Sequence, residues 1–340
     1  MNEIYILTDY KGYFGSKQKT TPYKSGFDKN ALQKYFTERK FNPIFLNFAD
    51  VDFKKVDLRN KYVIYTSAED QGLHYKDYIE DIILGLYLQG AKLIPHFKFL
   101  RANNNKVFME ILRDQSEMQE IKNIKSTYLS TLEDLKRKEN FPDKNVLKLS
   151  AGAMSSGVFL TKSKDELIKK CKINCRTRYI YKELWDIKNT IKHRYFIPDS
   201  LYRKKFIVQN YIENLQNDWK LLVYGESIYI LKRMVRKNDF RASGSGIFEF
   251  TKEIPKGILE FAYQIKENFN VPNISLDIAY ADHEFYLIEF QAIYFGTKTL
   301  ENAPFYFKNE NSKWKVYDEK SDLEKVYVNS IVDFIEKVKI

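Results

Sequence analysis

The chain has 340 residues, 44% of them hydrophobic and 30% charged. That balance excludes a mainly disordered chain and predicts two or three compact modules at roughly 150 residues each. Lys and Arg number 56 against 45 Asp and Glu, a net charge of +11. The basic residues are scattered, and the densest cluster, Arg176 to Lys205, is interrupted by Glu183, Asp186 and Asp199. The expectation is therefore a lysine-rich solvated surface, with no nucleic acid as partner. No apolar run reaches the ~18 residues of a membrane span, and the start shows no basic stretch followed by an apolar core. The expectation is no membrane insertion, no signal peptide and a cytoplasmic location.

In chain order, Ile4 to Leu7 reads as a buried strand, residues 10–27 as a long loop, Asn30 to Arg39 as a helix and Pro43 to Asn47 as a strand. Lys61 to Thr66 is a third strand. Ile79, Ile82, Ile83 and Leu86 fall at helical spacing, and Gly90 is a stop signal. Lys92 to Ile94 is a strand closed by Pro95. Strands alternating with helices predict a small parallel α/β sheet over the first ~100 residues. Asn104 to Arg113 reads as a helix, and 114–140 is polar apart from Tyr128-Leu129. Val146 to Leu149 and Val158 to Leu160 are short strands flanking a small-residue loop, a hairpin with a mobile tip. Cys171 and Cys175, four residues apart, would share a helix face. No Cys or His pair lies at zinc-ligand spacing from them, so reduced structural thiols are expected. Phe206 to Ile212, Trp219 to Tyr224 and Ser227 to Arg233 are strands, the last two joined at Gly225-Glu226. A helix over Ile258 to Ile265, a hairpin of Ile274–Tyr280 with Phe285–Gln291, and a final helix marked by Ile331, Phe334, Ile335 and Val338 complete the chain.

The hairpin carries the chemistry. Side chains alternate along a strand, so Asp277 points away from Ile274's face, and Glu289 and Gln291 share a face with Phe285 and Leu287. A three-residue loop, Asp282 to Glu284, would set Asp277 opposite Glu289. Two facing carboxylates repel unless a cation lies between them, and Mg2+ takes carboxylate and amide oxygens. Alternatively, both carboxylates pair with Arg or Lys from another strand. Lys148 lies just before the small-residue loop, whose backbone N–H groups could cradle phosphate. The loop matches neither the Walker pattern nor the dinucleotide fingerprint.

The order of these pieces resembles the ATP-grasp family. Asn105-Lys106-Val107 resembles the start of its first nucleotide helix. Val146-Leu147-Lys148-Leu149 with the following loop resembles its second lysine and flexible glycine loop. Ile207 to Glu213 resembles the hinge strand, and Asp218-Trp219-Lys220 the "D-x-R" after it. Arg233 and the segment Asp239 to Gly246 resemble the arginine strand and loop. Asp277 and Glu289-Phe290-Gln291 resemble the metal-binding "D … E-x-N". Gln291 stands where the family usually has Asn, and Lys220 where it has Arg, which cannot be matched as a bidentate clamp by a lysine. The resemblance covers about residues 100–300. Tyr65 to Asp70 and Arg101 to Asn103 also resemble a subgroup encoded among bacterial surface-polysaccharide genes.

The resemblance implies an α/β (α+β) fold: an N-terminal parallel α/β domain over 1–100, a small lid subdomain over 101–205 and a C-terminal subdomain over 206–340, the last two sandwiching ATP. It implies an ADP-forming carboxylate–amine ligase that works through an acyl phosphate, acting on a sugar acid or amino acid precursor of a capsule or other surface polysaccharide. An ATP-grasp phosphotransferase and a non-catalytic nucleotide-binding scaffold are the alternatives. Lys106 and Lys148 would bind the α- and β-phosphates, and Ser155, Ser156 and Gly157 would close over the γ-phosphate. Gln209, Asn210, Tyr211 and Ile212 would hold adenine, Glu213 the ribose, with Asp218 and Lys220 nearby. Asp277, Glu289 and Gln291 would hold one or two Mg2+ ions, while Arg233, Arg241, Lys148 and Ser156 would serve the reacting groups. The partners implied are a small-molecule carboxylate and amine, and dimers are common in the family.

Overall fold

The N-terminal apolar run forms a strand, and most of the predicted elements follow in order. The structure is a computed structural model that describes residues 2–17, 26–152, 157–235 and 246–338. Its elements are β1 (Asn2–Thr8), α1 (Lys29–Glu38), β2 (Phe41–Asn47), β3 (Tyr62–Tyr65), α2 (His74–Gln89), β4 (Lys92–Ile94), α3 (Phe97–Ala102) and α4 (Lys106–Asp114). Then come β5 (Ser126–Thr131), α5 (Leu132–Arg137), β6 (Asn145–Leu149), β7 (Val158–Thr161), α6 (Lys164–Asn174), α7 (Ile180–Lys192) and β8 (Arg203–Asn210). The chain continues through β9 (Asn217–Tyr224), β10 (Ser227–Met234), β11 (Phe248–Glu249), α8 (Ile258–Phe269), β12 (Asn273–Ala281) and β13 (Glu284–Gln291). It closes with α9 (Lys298–Asn302), β14 (Tyr306–Glu310), β15 (Lys313–Tyr317) and α10 (Leu323–Val338).

These elements form two compact units. One comprises Met1–Asn103, Gln115–Ile121 and Leu215–Ile340, and the other Asn104–Asp114 and Lys122–Asn214. In the first, β1 to β4 make the predicted parallel sheet, in the order β2-β1-β3-β4. Ile4, Ile6 and Ile64 are buried with Leu32 and Phe36 of α1 and Val328 and Ile331 of α10. Leu7, Val63 and Tyr65 are buried with Ile79, Ile83 and Leu86 of α2. Helices on both faces are why these strands read as apolar runs with little alternation. Asp28 caps α1 by accepting from the N–H groups of Asn30 and Ala31. Gly90 ends α2 at φ 98, in the left-handed region that glycine enters at no steric cost.

The same unit holds an antiparallel sheet in the order β13-β12-β9-β10-β14-β15, with β11 on β10. Leu222 and Tyr224 of β9 and Tyr229 of β10 join the core that contains Ile4 and Ile6. In the second unit, β5-β8-β6-β7 form an antiparallel sheet. Leu147, Phe206 and Val208 pack with Leu132, Leu135, Leu167, Cys171 and Cys175. Both cysteines are free and fully buried, as expected of structural thiols.

Four helices, α3, α5, α7 and the five-residue α9, were not legible in the sequence. α3 and α5 have six residues each, too short for a periodic pattern to emerge. α7 is long enough, but it turns its apolar residues to solvent, and its stretch reads as a broken basic cluster.

Candidate active site

Within the first unit, the predicted carboxylates meet. Asp277 of β12 lies directly opposite Glu289 of β13, and Ser275 opposite Gln291. The route differs from the expected three-residue loop. The turn has two residues, Asp282 and His283, both at positive φ (51° and 65°), as a two-residue hairpin turn requires. That turn alone would pair Asp277 with Ile288. A bulge restores the register: Ile278 pairs with Leu287 and Asp277 with Glu289, leaving Ile288 as the extra residue. The bulge also corrects the expected facing. Leu287 and Phe290 are both buried, while Glu289 and Gln291 are half-buried. Glu289 therefore shares Asp277's face and not Leu287's. Strict alternation could not bury both Leu287 and Phe290, three residues apart, so the extra residue resolves the conflict.

Neighbouring strands add charge to the same face. Asp277 sits opposite Lys220 of β9, and Asp218 of β9 opposite Arg233 of β10. Asp277 Oδ1 lies 3.1 Å from Lys220 Nζ, and its Oδ2 2.9 Å from Arg233 Nη2. Arg233 also donates through Nε and Nη2 to Asp218, at 2.5 and 2.8 Å. Gln291 Nε2 donates to Glu289 Oε1 at 3.4 Å. Burial works against ionising Asp277, but Arg233 and Lys220 outweigh it and hold its carboxyl at about 2. Burial dominates at Asp218 and pushes its carboxyl up to about 6 against the pull of Arg233.

For Asp277, then, the alternative reading is the one observed: it pairs with Lys and Arg from neighbouring strands. Arg233 is likewise engaged with two carboxylates. Among the described residues, no three His, Cys, Asp or Glu side chains are grouped to hold a metal. The donor set nevertheless suits Mg2+ in kind, since Asp277, Glu289 and Gln291 offer carboxylate and amide oxygens on adjacent strands. Among the described residues, three carboxylates face two cations here, an excess of negative charge on a partly buried face that a divalent cation would reverse.

The first unit also has a cavity of about 40 Å³, whose lining includes Ser16, Tyr65, Thr66, Asn273, Ile293 and Thr297. That is room for a few water-sized groups. Asn273 is buried and its Oδ1 has no hydrogen-bond partner among the described residues. Asn273, Ser275 and Asp277 alternate onto one face of β12, so the cavity's polar wall and the carboxylates belong to one stripe. Ser67 Oγ donates to Asn103 Oδ1 at 2.9 Å, and Asn103 Nδ2 to the Ile293 carbonyl at 3.1 Å. Those bonds tie the 65–70 and 101–103 segments to the chain just after Gln291.

The second unit gathers the expected nucleotide residues. Lys106 opens α4 and is buried; its Nζ donates to the Gly152 carbonyl at 3.0 Å, and its N–H to the Ser150 carbonyl. Asn104 Oδ1 accepts from the Gly152 N–H, and Asn105 Oδ1 from Ser150 Oγ. The start of the small-residue loop is thus held by Asn104, Asn105 and Lys106. Lys148 lies on β6, and the N–H of Leu149 donates to the Gly157 carbonyl, which closes the hairpin. A Cβ at Gly157 would come within 2.9 Å of Leu149 Cβ, so only glycine fits without a shift there. Ser155, Ser156 and Arg241 lie outside the described residues.

Gln209 differs from expectation. Its side chain is buried, and Nε2 donates to Glu110 Oε2 at 2.8 Å and Ser126 Oγ at 2.9 Å. The side chain is committed to a network, not presented to an adenine edge. Glu110 is fully buried and paired with Arg113 and Ser126. Burial raises its carboxyl, with Arg113 and Lys148 pulling the other way. Sequence reading missed Glu110, Arg113 and Ser126, and the only signal was a charged pair on the apolar-flanked helix of Lys106. Asn210 accepts from the Lys125 N–H, and Glu213 pairs with Lys144 at 2.8 Å. Tyr211 lies under Lys144, 5.7 Å from ring centroid to Nζ. The expected ribose contact at Glu213 is therefore an exposed ion pair in this structure. Ile212 follows β8 where the chain leaves this unit.

Comparison with solved structures decides the fold. Over 98% of its length the chain superposes on 99% of a D-cycloserine synthetase, DcsG, with a TM-score of 0.56 at 11% identity. The fold is the ATP-grasp fold. An ATP-grasp ligase associated with modified peptides in Chryseobacterium gregarium, solved with ADP and a leader and core peptide, matches with a TM-score of 0.51 at 15% identity, covering 99% of this chain and 97% of that one. The ATP-grasp ligase PsnB, solved with a minimal precursor, Mg and ADP, matches with a TM-score of 0.52 at 10% identity, covering 98% and 96%. No family model matches the sequence, and no curated protein does.

Proposed function

We propose that this ATP-grasp chain is an ADP-forming carboxylate–amine ligase. The observation that carries the reading is the juxtaposition of Asp277, Glu289 and Gln291 beside Lys220 and Arg233 on one sheet face of that fold. ATP-grasp ligases that match it were solved with ADP, one of them with Mg as well. A carboxylate resists amines because its charge repels the nucleophile. Its oxygen attacks the γ-phosphorus of ATP, the bond to ADP breaks, and an acyl phosphate forms. The amine nitrogen then adds to the acyl carbon, loses its proton, and phosphate leaves.

The residues divide this work by charge and place. Lys106 and Lys148 neutralise phosphate oxygens, Lys106 exchanging the Gly152 carbonyl for the nucleotide. Asp277, Glu289 and Gln291 would hold magnesium, which when bound neutralises the β- and γ-phosphates. Arg233 and Lys220 keep Asp277 ionised and supply positive charge where the phosphoryl group and acyl oxygen develop negative charge. Ser155, Ser156 and Gly157 close the phosphate end against water in this reading, Arg241 steadies the transferring phosphoryl group with Arg233, and the chain around Tyr211 and Ile212 receives adenine. A small polar group of the acceptor would enter the cavity beside Thr66 and Asn273, which has room for a few water-sized groups. A sugar acid or amino acid precursor of a bacterial surface polysaccharide is the finer reading, supported by the resemblance of the 65–70 and 101–103 segments.

The test mixes the purified protein, ATP and Mg2+ with pools of carboxylates and amines, and follows ADP and phosphate. ADP and phosphate released only when both pools are present bear the ligase out. Phosphate retained on one acceptor makes the protein a phosphotransferase. No ADP with any pool, together with no thermal stabilisation by ATP, would leave the ligase reading without support.

A further inference from the structure

The helix α7 is inside out. Its inward positions are polar: Asp186 is buried and paired with Lys182, and Glu183 pairs with Arg176 at 3.1 Å. Its outward positions are apolar. Ile180, Leu184, Ile187 and Ile191, spaced by three and four residues, are all exposed, Ile191 to 81%. Tyr181 is 86% exposed, and Tyr195 and Ile197 after the helix are each 87% exposed. Trp185 packs edge-on against Phe196, with ring centroids 5.6 Å apart, which fastens that following segment to the helix. An apolar surface of this density is far from the scattered exposed side chains of an ordinary protein face.

The unpaired charge on the outward surface of α7 is positive among the described residues. Both acids of α7 face inward and are neutralised there. Arg178, Lys188, Lys192 and Arg194 are exposed and have no carboxylate partner among the described residues. Of the three acids that interrupt the basic cluster in the sequence, Glu183 and Asp186 are turned inward, and the exposed Asp199 is paired with Lys182 and Arg203.

We propose that α7 and residues 193–197 form a docking face for an anionic lipid surface. Aromatic and aliphatic side chains would enter the interfacial layer while the lysines and arginines meet lipid phosphates, as in helices that lie in the plane of a membrane. A second copy of the chain is a poor occupant, because a two-fold contact would set cations against cations. Nucleic acid would leave the isoleucines and Leu184 with nothing to bury against. The proposal adds a place of work to the protein and stands independently of the ligase reading.

The test is flotation of the full chain with vesicles of phosphatidylcholine, with and without phosphatidylglycerol. The protein should float with the anionic vesicles only, and salt should weaken it. Lys188→Gln with Lys192→Gln should weaken binding roughly 30-fold, from about 5-fold per lysine near an anionic surface. Ile187→Asp with Ile191→Asp should abolish binding. All four side chains are exposed, so the unfolding midpoint should not move. No flotation with either vesicle, equal flotation with both, or variants that float like the parent overturns the proposal. So does a dimer, or an acidic-peptide complex, that depends on this face while no vesicle is bound.

Discussion

The two polar clusters are built in opposite ways. On β9, β10, β12 and β13, charged partners stand directly across from each other, so each strand register nearly dictates the ion pairs. In the other unit, Glu110 on α4 meets Gln209 on β8, 99 residues away, and Ser126 on β5 completes the network. The first cluster is half open, and among the described residues its three carboxylates outnumber its two cations. The second is sealed, with Glu110 and Arg113 almost without exposure. A half-open, uncompensated cluster can exchange partners with a ligand, whereas a sealed one mainly fixes shape. The contrast assigns chemistry to the first cluster and support to the second.

The most severe way to probe the contrast is in the sealed cluster. Glu110→Ala leaves Arg113 buried without its carboxylate and should cost about 3–5 kcal/mol of stability, read from urea unfolding. A loss below about 1 kcal/mol would mean the network is not structural. In the open cluster, Glu289→Ala should lower ATP turnover by about 10²–10³-fold, a loss typical of one transition-state electrostatic contact. Its unfolding midpoint should hardly change, because Glu289 is only half-buried. Full activity in that variant would remove the carboxylates from the mechanism.

Titration sharpens the same distinction. Burial raises Glu110 above its ordinary 4.5. A raised carboxyl binds its proton more readily in the folded chain, so its contribution to stability is present below 4.5 and is lost as pH rises through the raised value. The parent should therefore lose urea resistance with rising pH relative to Glu110→Gln, and a constant difference between them would contradict the raised value. The smallest effect concerns the bulge. Removing Ile288 lets Glu289 follow Leu287 directly and still pair with Asp277, now without a bulge. Turnover in that deletion should stay within about tenfold of the parent, or ~1.4 kcal/mol of barrier. A collapse in activity would show that the bulge aims Glu289 and does more than restore register.

Sequence alone carried the parallel N-terminal sheet and the two hairpins, because strand alternation, turn residues and helical spacing are local signals that neighbouring residues enforce. The Asp277–Glu289 pair was expected, but it is reached through a two-residue turn and a bulge that the sequence pattern did not show. The order of short motifs carried the ATP-grasp fold through Lys106, Lys148 and the carboxylate strands. Tertiary structure alone decided three matters: that Lys220 and Arg233 close on Asp277, that Gln209 turns to Glu110 and away from a nucleotide edge, and that α7 shows its apolar side to solvent. Each depends on which distant segment lies alongside. Charge pairing and burial are properties of neighbours in space, and a linear pattern holds no record of them until the sheets are laid down.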